Sequence, residues 1–198
     1  KYNFFRKFIW KNLGRNIHKV TCPTIGTIED LKAMKIFDCK KIFLLRDPVI
    51  NLKKIKKIRE ENYKKNFNSD HFSLIAIGRL TKQKNFQFLI KNFEKILNIQ
   101  SNAKLYIIGE GEDKNTLNNL IVEKNLVDKI FLLGFRENIF SYIKDANLFI
   151  LSSLWEDPGW VIIEAAACNT LILTSNCKNG PQEFIENDQG GILFQSNS

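Results

Sequence analysis

Two cations stand where a strand pattern gives way to a helix pattern. The stretch Gly78-Arg79-Leu80-Thr81-Lys82-Gln83-Lys84-Asn85 follows the apolar run Ser73-Leu74-Ile75-Ala76-Ile77 and precedes a helical periodicity. Arg79 and Lys84 are thereby placed beside a helix N-terminus, where free N–H groups and the dipole already favour an anion. Arg offers a planar fork and Lys a point charge, a pair suited to a diphosphate. The plainer alternative is two solvated surface cations. A second segment, Ser152 to Ala165, follows a strand, passes Glu156, turns at Pro158-Gly159 and enters an apolar helix. Glu164 lies in that helix among Val161, Ile162, Ile163, Ala165, Ala166 and Ala167. A carboxylate in such company needs hydrogen-bond donors, or its burial is costly. Sugar or ribose hydroxyls are good donors to it; the alternative is a glutamate that only complements the helix dipole. Gly109-Glu110-Gly111 is a further turn after a strand. It is no dinucleotide fingerprint, because Lys114 stands where a third glycine is needed, and no G-x-x-x-x-G-K-[ST] occurs.

The elements that must carry these residues alternate. Apolar runs at 73–77, 104–108, 130–133, 148–151, 171–174 and 190–194 read as strands. Between them, Phe86, Leu89, Ile90, Phe93 and Leu97 make one helical stripe, with Asn85 as its N-cap. Residues 113–125, 138–144, 160–168 and 182–187 read as further helices. Strands alternating with helices across short loops predict right-handed βαβ units, hence an α/β fold with a Rossmann-like parallel sheet covered by helices on both faces. In such sheets the ligand lies beyond the carboxyl ends of the strands, where Gly78, Gly109, Gly134 and Ser152 fall.

The first 70 residues differ. A helix is expected over 2–18, using Phe5, Phe8, Ile9 and Leu13. Short strands at 20–23 and 41–45 flank a helix near 28–35 capped by Thr27, and the Lys-rich stretch 53–65 reads as a helical or loose connector after Asp47-Pro48. The expected division is 1–50, a linker over 51–70, and 71–198. The 198-residue chain carries a net charge of +9, and residues 1–70 hold 18 Lys+Arg against 7 Asp+Glu while the rest hold 12 against 14. That basic third is either a solvated surface or an attraction to an anionic membrane or nucleic acid. A hydrophobic share of 44% against 26% charged is that of a globular chain, and no apolar run reaches the length of a spanning helix. Cys22, Cys39, Cys168 and Cys177 form no C-x-x-C pair, and only His18 and His71 could join them, which argues against zinc and for a reducing compartment.

The ordered set "GRLTKQKN … LYIIGEGED … FLLGFRENIFSYIKDANLFILSSLWEDPGWVIIEAAACNTLILTSNCKNGPQEFI" resembles the nucleotide-sugar-binding half of glycosyltransferase family 4, from about 72 to 194. These are retaining enzymes of GT-B architecture, two Rossmann-like domains facing across a cleft. Glu156 and Glu164, with seven residues between them, are its most specific mark, and Gly180 before Pro-Gln-Glu also fits. The resemblance implies that Arg79 and Lys84 hold the donor diphosphate in place of a metal and that Glu156 hydrogen-bonds the transferred sugar. The loop Asp157, Pro158, Gly159, Trp160, Val161 would offer backbone N–H groups, Glu164 would bind ribose hydroxyls, and Phe135-Arg136 would pack beside the base. Pro158 departs from the family's usual aromatic and lacks one N–H; Trp160 is bulkier than the usual aliphatic residue.

By the same resemblance, residues 1–50 look like the tail of an N-terminal acceptor domain, and the chain reads as a fragment lacking most of that domain and a closing helix. Neither His18 nor His71 sits in a matching motif, so no catalytic base is assigned. The expected activity is retaining transfer of a sugar from a nucleotide diphosphate to a glycan or lipid-linked hydroxyl, without metal or other cofactor, in polysaccharide biosynthesis. The expected place is the cytoplasm, with peripheral contact to the inner face of an anionic membrane; no nucleic-acid motif accompanies the charge. An inactive nucleotide-sugar-binding module, or a GT-B epimerase or phosphorylase, remains open.

Overall fold

The computed structural model describes residues 4–60, 65–185 and 190–195. The first element is α1 (Phe4–Leu13); residues 2 and 3 of the expected helix lie outside the described residues, and it ends before residue 18 because a 3-10 turn at Gly14–Asn16 closes it. Then come β1 (Val20–Cys22), α2 (Ile25–Met34) and β2 (Ile42–Leu44). β1 and β2 pair in parallel, Val20 opposite Ile42 and Cys22 opposite Leu44, so α2 is their crossover. The cap of α2 is Thr24, not Thr27: Thr24 is extended and its hydroxyl accepts from the Thr27 N–H at 3.1 Å. The helix therefore starts three residues early, with Gly26 inside its first turn. The Lys-rich stretch is helical over α3 (Leu52–Glu60), with 61–64 outside the described residues. Ile55 of α3 is buried in the core, and Lys144 Nζ donates to the Ile58 carbonyl at 3.1 Å, which docks α3.

The remaining strands are β3 (Phe72–Ile77), β4 (Ala103–Ile108), β5 (Ile130–Gly134), β6 (Leu148–Leu151), β7 (Leu171–Ser175) and β8 (Ile192–Phe194). They form one sheet in the order β5-β4-β3-β6-β7-β8, with every pair parallel. The connecting helices are α4 (Phe86–Ile99), α5 (Lys114–Glu123), α6 (Ile139–Asp145), α7 (Trp160–Ala167) and α8 (Pro181–Ile185). Period-two geometry splits β3 between the two faces. Leu74 and Ala76 join Phe93, Leu105 and Leu117 in one apolar layer; Ile75 and Ile77 join Phe149, Ile143 and Ile162 in the other. Both faces are covered, which is why the strands read as unbroken apolar runs.

The chain winds outward from β3 to β5, then returns to build β6 to β8 on the other side. The winding reverses between β3 and β6, the switch point where doubly wound sheets open a crevice at their carboxyl edge. Asn85 does not cap α4 with its side chain; it adopts a left-handed conformation, and its carbonyl accepts from the Phe88 N–H at 3.0 Å. Asn at positive φ is tolerated where other side chains are not. The expected end of the 182–187 helix falls partly on 186–189, outside the described residues.

Candidate functional site

β3 and β6 are hydrogen-bonded neighbours, so the loops that leave them lie side by side. Hydrogen bonds fasten them. The Leu154 N–H donates to the Gln83 carbonyl at 2.8 Å, Gln83 Nε2 donates to the Trp155 carbonyl at 2.9 Å, and Ser152 Oγ donates to the Lys84 carbonyl at 2.8 Å. Ser175 Oγ, at the end of β7, donates to the Ser153 carbonyl at 2.7 Å. The backbone beneath Lys84 and Glu156 is thus held by hydroxyls of adjacent strand ends.

On that frame Lys84 and Glu156 meet. Lys84 Nζ is 2.5 Å from Glu156 Oε1, and Ser153 Oγ donates to the same oxygen at 2.5 Å. The two charged side chains are only 14% and 6% exposed, so each is the other's main compensation for lost water. The Lys84 stem lies across Gly78, where a Cβ would sit 2.8 Å from Lys84 Cε. Gly159 packs against Glu156 in the same way, with a Cβ there 3.3 Å from Glu156 Cγ.

Beside this pair a hollow of about 490 Å³ opens over the ends of β3, β4 and β5, lined by Gly78, Arg79, Gly109, Glu110, Phe135 and Arg136. The Arg79 side chain is exposed and has no hydrogen-bond or ion-pair partner among the described residues. The Phe135 ring is 71% exposed. Glu110 is paired with Lys114 at 3.2 Å, while Arg136 Nη1 donates to the Phe135 carbonyl at 3.1 Å. The hollow therefore offers an aromatic face and a free guanidinium, the elements that hold a flat ring and an anion.

The remaining expected residues fall as follows. Glu164 lies in α7, half-buried; its carboxylate has no hydrogen-bond or ion-pair partner among the described residues, and burial pushes it above the usual carboxylate range. Gly159 is left-handed at the start of α7, Trp160 is half-exposed, and Val161 packs on the apolar layer under β6. The Pro158 carbonyl rests against Gly180. Asp157 does more than lend its backbone: its carboxylate accepts from Thr27 Oγ1 at 2.8 Å and from Thr24 Oγ1 at 3.3 Å. Glu183 accepts from the Ile25 and Gly26 N–H groups at 2.9 and 2.8 Å. The structure thus joins Lys84 to Glu156, and Arg79 to Phe135 in the adjoining hollow. Ser153, Thr24 and Glu183 were not singled out from the sequence, and Thr27 was read only as a helix cap. The signal for Ser153 was a hydroxyl three residues before Glu156; the contacts of Thr24, Thr27 and Glu183 span more than 125 residues and leave no local pattern.

Residues 57–198 match the family described as glycosyl transferases group 1. The chain belongs to that family. An uncharacterized glycosyltransferase of Methanocaldococcus jannaschii is 39% identical over 140 residues, 69% of this chain and 34% of that protein. The N-acetylgalactosamine-N,N'-diacetylbacillosaminyl-diphospho-undecaprenol 4-alpha-N-acetylgalactosaminyltransferase of Campylobacter jejuni is 34% identical over 122 residues, 62% of this chain and 33% of that protein. Among solved structures, a TarM mutant of S. aureus in complex with fondaparinux, alpha-GlcNAc-glycerol and UDP superposes with a TM-score of 0.80 at 24% identity, over 100% of this chain and 39% of that one. This chain spans about a third to a half of the curated relatives it matches.

In this group 1 glycosyl transferase, the raised pKa of Glu164 has a consequence for stability. The folded state holds the Glu164 proton more tightly than the unfolded chain does, so stability falls as pH rises from the ordinary carboxylate range through the raised value. Glu164→Gln removes that part of the slope. The variant is expected to melt no lower than the parent at neutral pH. Thermal melts between pH 4 and 8 check this; parallel pH profiles for both proteins would disprove it. Among the described residues no cluster of three or more His, Cys, Asp and Glu is placed to hold a metal ion, and no helix is long and apolar enough to cross a membrane.

Proposed function

We propose that this chain is the donor-binding part of a retaining glycosyltransferase of family 4, which moves a sugar from a nucleotide diphosphate to a glycan or lipid-linked hydroxyl. The observation that carries this reading is the Lys84–Glu156–Ser153 cluster at the switch point, with the Arg79 and Phe135 hollow next to it. Arg79 and Lys84 take the diphosphate, and their fixed charge stabilises the anion as the sugar–phosphate bond breaks. This is positive charge supplied by side chains, so the reading needs no metal. Glu156 and the loop 157–161 hold the sugar, Glu164 the ribose, and Phe135 with Arg136 the base.

Residues 1–50 belong, in this reading, to an acceptor domain, with 51–70 as linker and 71–198 as donor domain. Support comes from the paired strands β1 and β2. Parallel sheets are covered on both faces and rarely stop at two strands. Here Phe43 and Leu45 are 44% and 59% exposed, and an apolar hollow of about 490 Å³ lies among Trp10, Leu13, Val20 and Phe37. The exposed Lys53, Lys54, Lys56 and Lys57 on α3 support peripheral contact with an anionic membrane, in keeping with a lipid-linked acceptor.

The test is a thermal-shift screen of nucleoside diphosphates and their sugars. One base is expected to stabilise the chain selectively, and its sugar conjugate to stabilise it further; at 100 times Kd the gain is about 2.7 kcal/mol. Stabilisation by none of them, or equally by inorganic pyrophosphate, would refute the donor-site reading.

A further inference from the structure

The loop from Asp157 to Gly159, which joins Glu156 to α7, is anchored from three directions. Glu156 is held by Lys84 and Ser153, and the Pro158 carbonyl by Gly180. The third anchor comes from α2. Thr27 Oγ1 donates to Asp157 Oδ2 at 2.8 Å, and Thr24 Oγ1 donates to Asp157 Oδ1 at 3.3 Å. The two hydroxyls are themselves 2.8 Å apart, so one carboxylate spans both. Thr24 is fully buried and also caps α2, so the hydroxyl that meets Asp157 has little freedom to turn away.

A second set of contacts fixes α2 in place for this. Glu183, in α8, receives the first two free N–H groups of α2, from Ile25 and Gly26, one on each carboxylate oxygen. Arg46 Nη2 lies 3.8 Å from the same carboxylate. Asn179 Nδ2 donates to Asp30 Oδ2 at 3.3 Å. A helix N-terminus favours a carboxylate through its dipole and its unpaired donors, so this contact is directional as well as close. Gly26 has no room for a side chain, since a Cβ there would overlap the Asn179 amide. The end of α2 is thus seated on the α8 segment while its hydroxyls reach the loop that follows Glu156.

We propose that Thr27, with Thr24, is a positioning residue that fixes the 157–159 loop through the Asp157 carboxylate, and so sets how that loop meets the donor. The proposal rests on the donor-site reading above for its consequence, but not for the loop itself. Of the three anchors it is the one supplied from residues 1–50. It therefore makes the donor loop's order depend on the unit that precedes it: a shift of α2 releases Asp157 while Lys84, Glu156 and Ser153 stay together. Asp157 directly follows Glu156, so freedom gained there is passed to the carboxylate that faces the sugar, and less to the guanidinium in the neighbouring hollow.

The test compares Thr27→Val, which keeps the shape and removes the hydroxyl, with Thr27→Ser, which keeps the hydroxyl. Amide hydrogen exchange over residues 154–160 reads the loop, and calorimetry with UDP and with UDP-glucose reads the site. Thr27→Val is expected to speed exchange in that window and to weaken UDP-glucose about 5- to 10-fold, the worth of one ordinary hydrogen bond, with UDP changed less than about twofold. Thr27→Ser restores both. Unchanged exchange in Thr27→Val would overturn the proposal, as would faster exchange with UDP-glucose affinity intact. Equal weakening of UDP and UDP-glucose would also overturn it, because the loss would then not lie at the sugar. If the parent chain binds neither nucleotide, the donor-site reading fails for this base, and the exchange rates alone decide whether Thr27 holds the loop.

Discussion

Lys84→Ala is expected to lower kcat/KM by at least about 100-fold in a polypeptide that carries both units of the proposed enzyme. Two losses combine. One is the point charge that stabilises the departing diphosphate, by analogy with a removed oxyanion donor at roughly 2–4 kcal/mol of barrier. The other follows from the pairing with Glu156. With Lys84 gone, a carboxylate only 6% exposed keeps the Ser153 hydroxyl but loses its cation. Removing one partner of a buried pair costs up to about 3–5 kcal/mol, because the other charge stays uncompensated. The two losses separate in a double variant. Adding Glu156→Gln to Lys84→Ala should recover much of the lost stability, measured by denaturant midpoint, and none of the activity. A kinetic loss under about threefold would refute the phosphate role, whatever the stability does.

The pairing also shows what the sequence could and could not say. The positions of Arg79 and Lys84, between a strand and a helix, followed from local pattern and placed them at the sheet's carboxyl edge. The alternation of strands and helices was legible for the same reason: β3 to β8 are short apolar runs, and both faces of the sheet are covered. That Lys84 and Glu156 touch was not legible. They are 72 residues apart, and their contact depends on β3 and β6 being neighbours, which only the strand order reveals. Local geometry decided the smaller errors. Asn85 and Thr27 both have the residue type of a cap, but Asn85 turned left-handed, and Thr24 took the cap of α2.

Asp157 is the plainest case of a role hidden by distance. Its place in the sequence makes it a loop residue beside Glu156, and the resemblance assigned it only a backbone donor. Its side chain instead answers hydroxyls 130 and 133 residues away. Contacts of that span bring together segments that each look ordinary: a threonine at a helix start and an acidic residue in a turn. The resemblance could mark the loop as important, but the partner that holds it lies before residue 57, outside the stretch that matches the family.

Gly180→Ala is expected to disturb the same loop from the other side. Gly180 has φ +139°, a region that L side chains rarely adopt, and a Cβ there would overlap the Pro158 carbonyl oxygen. That oxygen belongs to backbone, so no rotamer change relieves the clash. Either the 157–159 loop lifts, or α8 shifts and drags Glu183 from the start of α2. The Gly180 carbonyl also receives the Phe184 N–H at 2.8 Å, which resists moving the helix, so the loop is the part that yields. The expected cost is about 1–3 kcal/mol of stability, the usual range for forcing extra volume into a packed site. UDP-glucose binding should weaken about 10-fold or more, since 1.4 kcal/mol of misfit at the loop is one decade in affinity. Gly190→Ala is the control: φ there lies outside the disfavoured region, and the nearest atom to a Cβ is the Phe184 carbonyl oxygen at 3.2 Å. It should change both quantities far less. A Gly180→Ala protein that melts and binds like its parent would mean that the loop tolerates displacement, and that the site does not depend on where Pro158 rests.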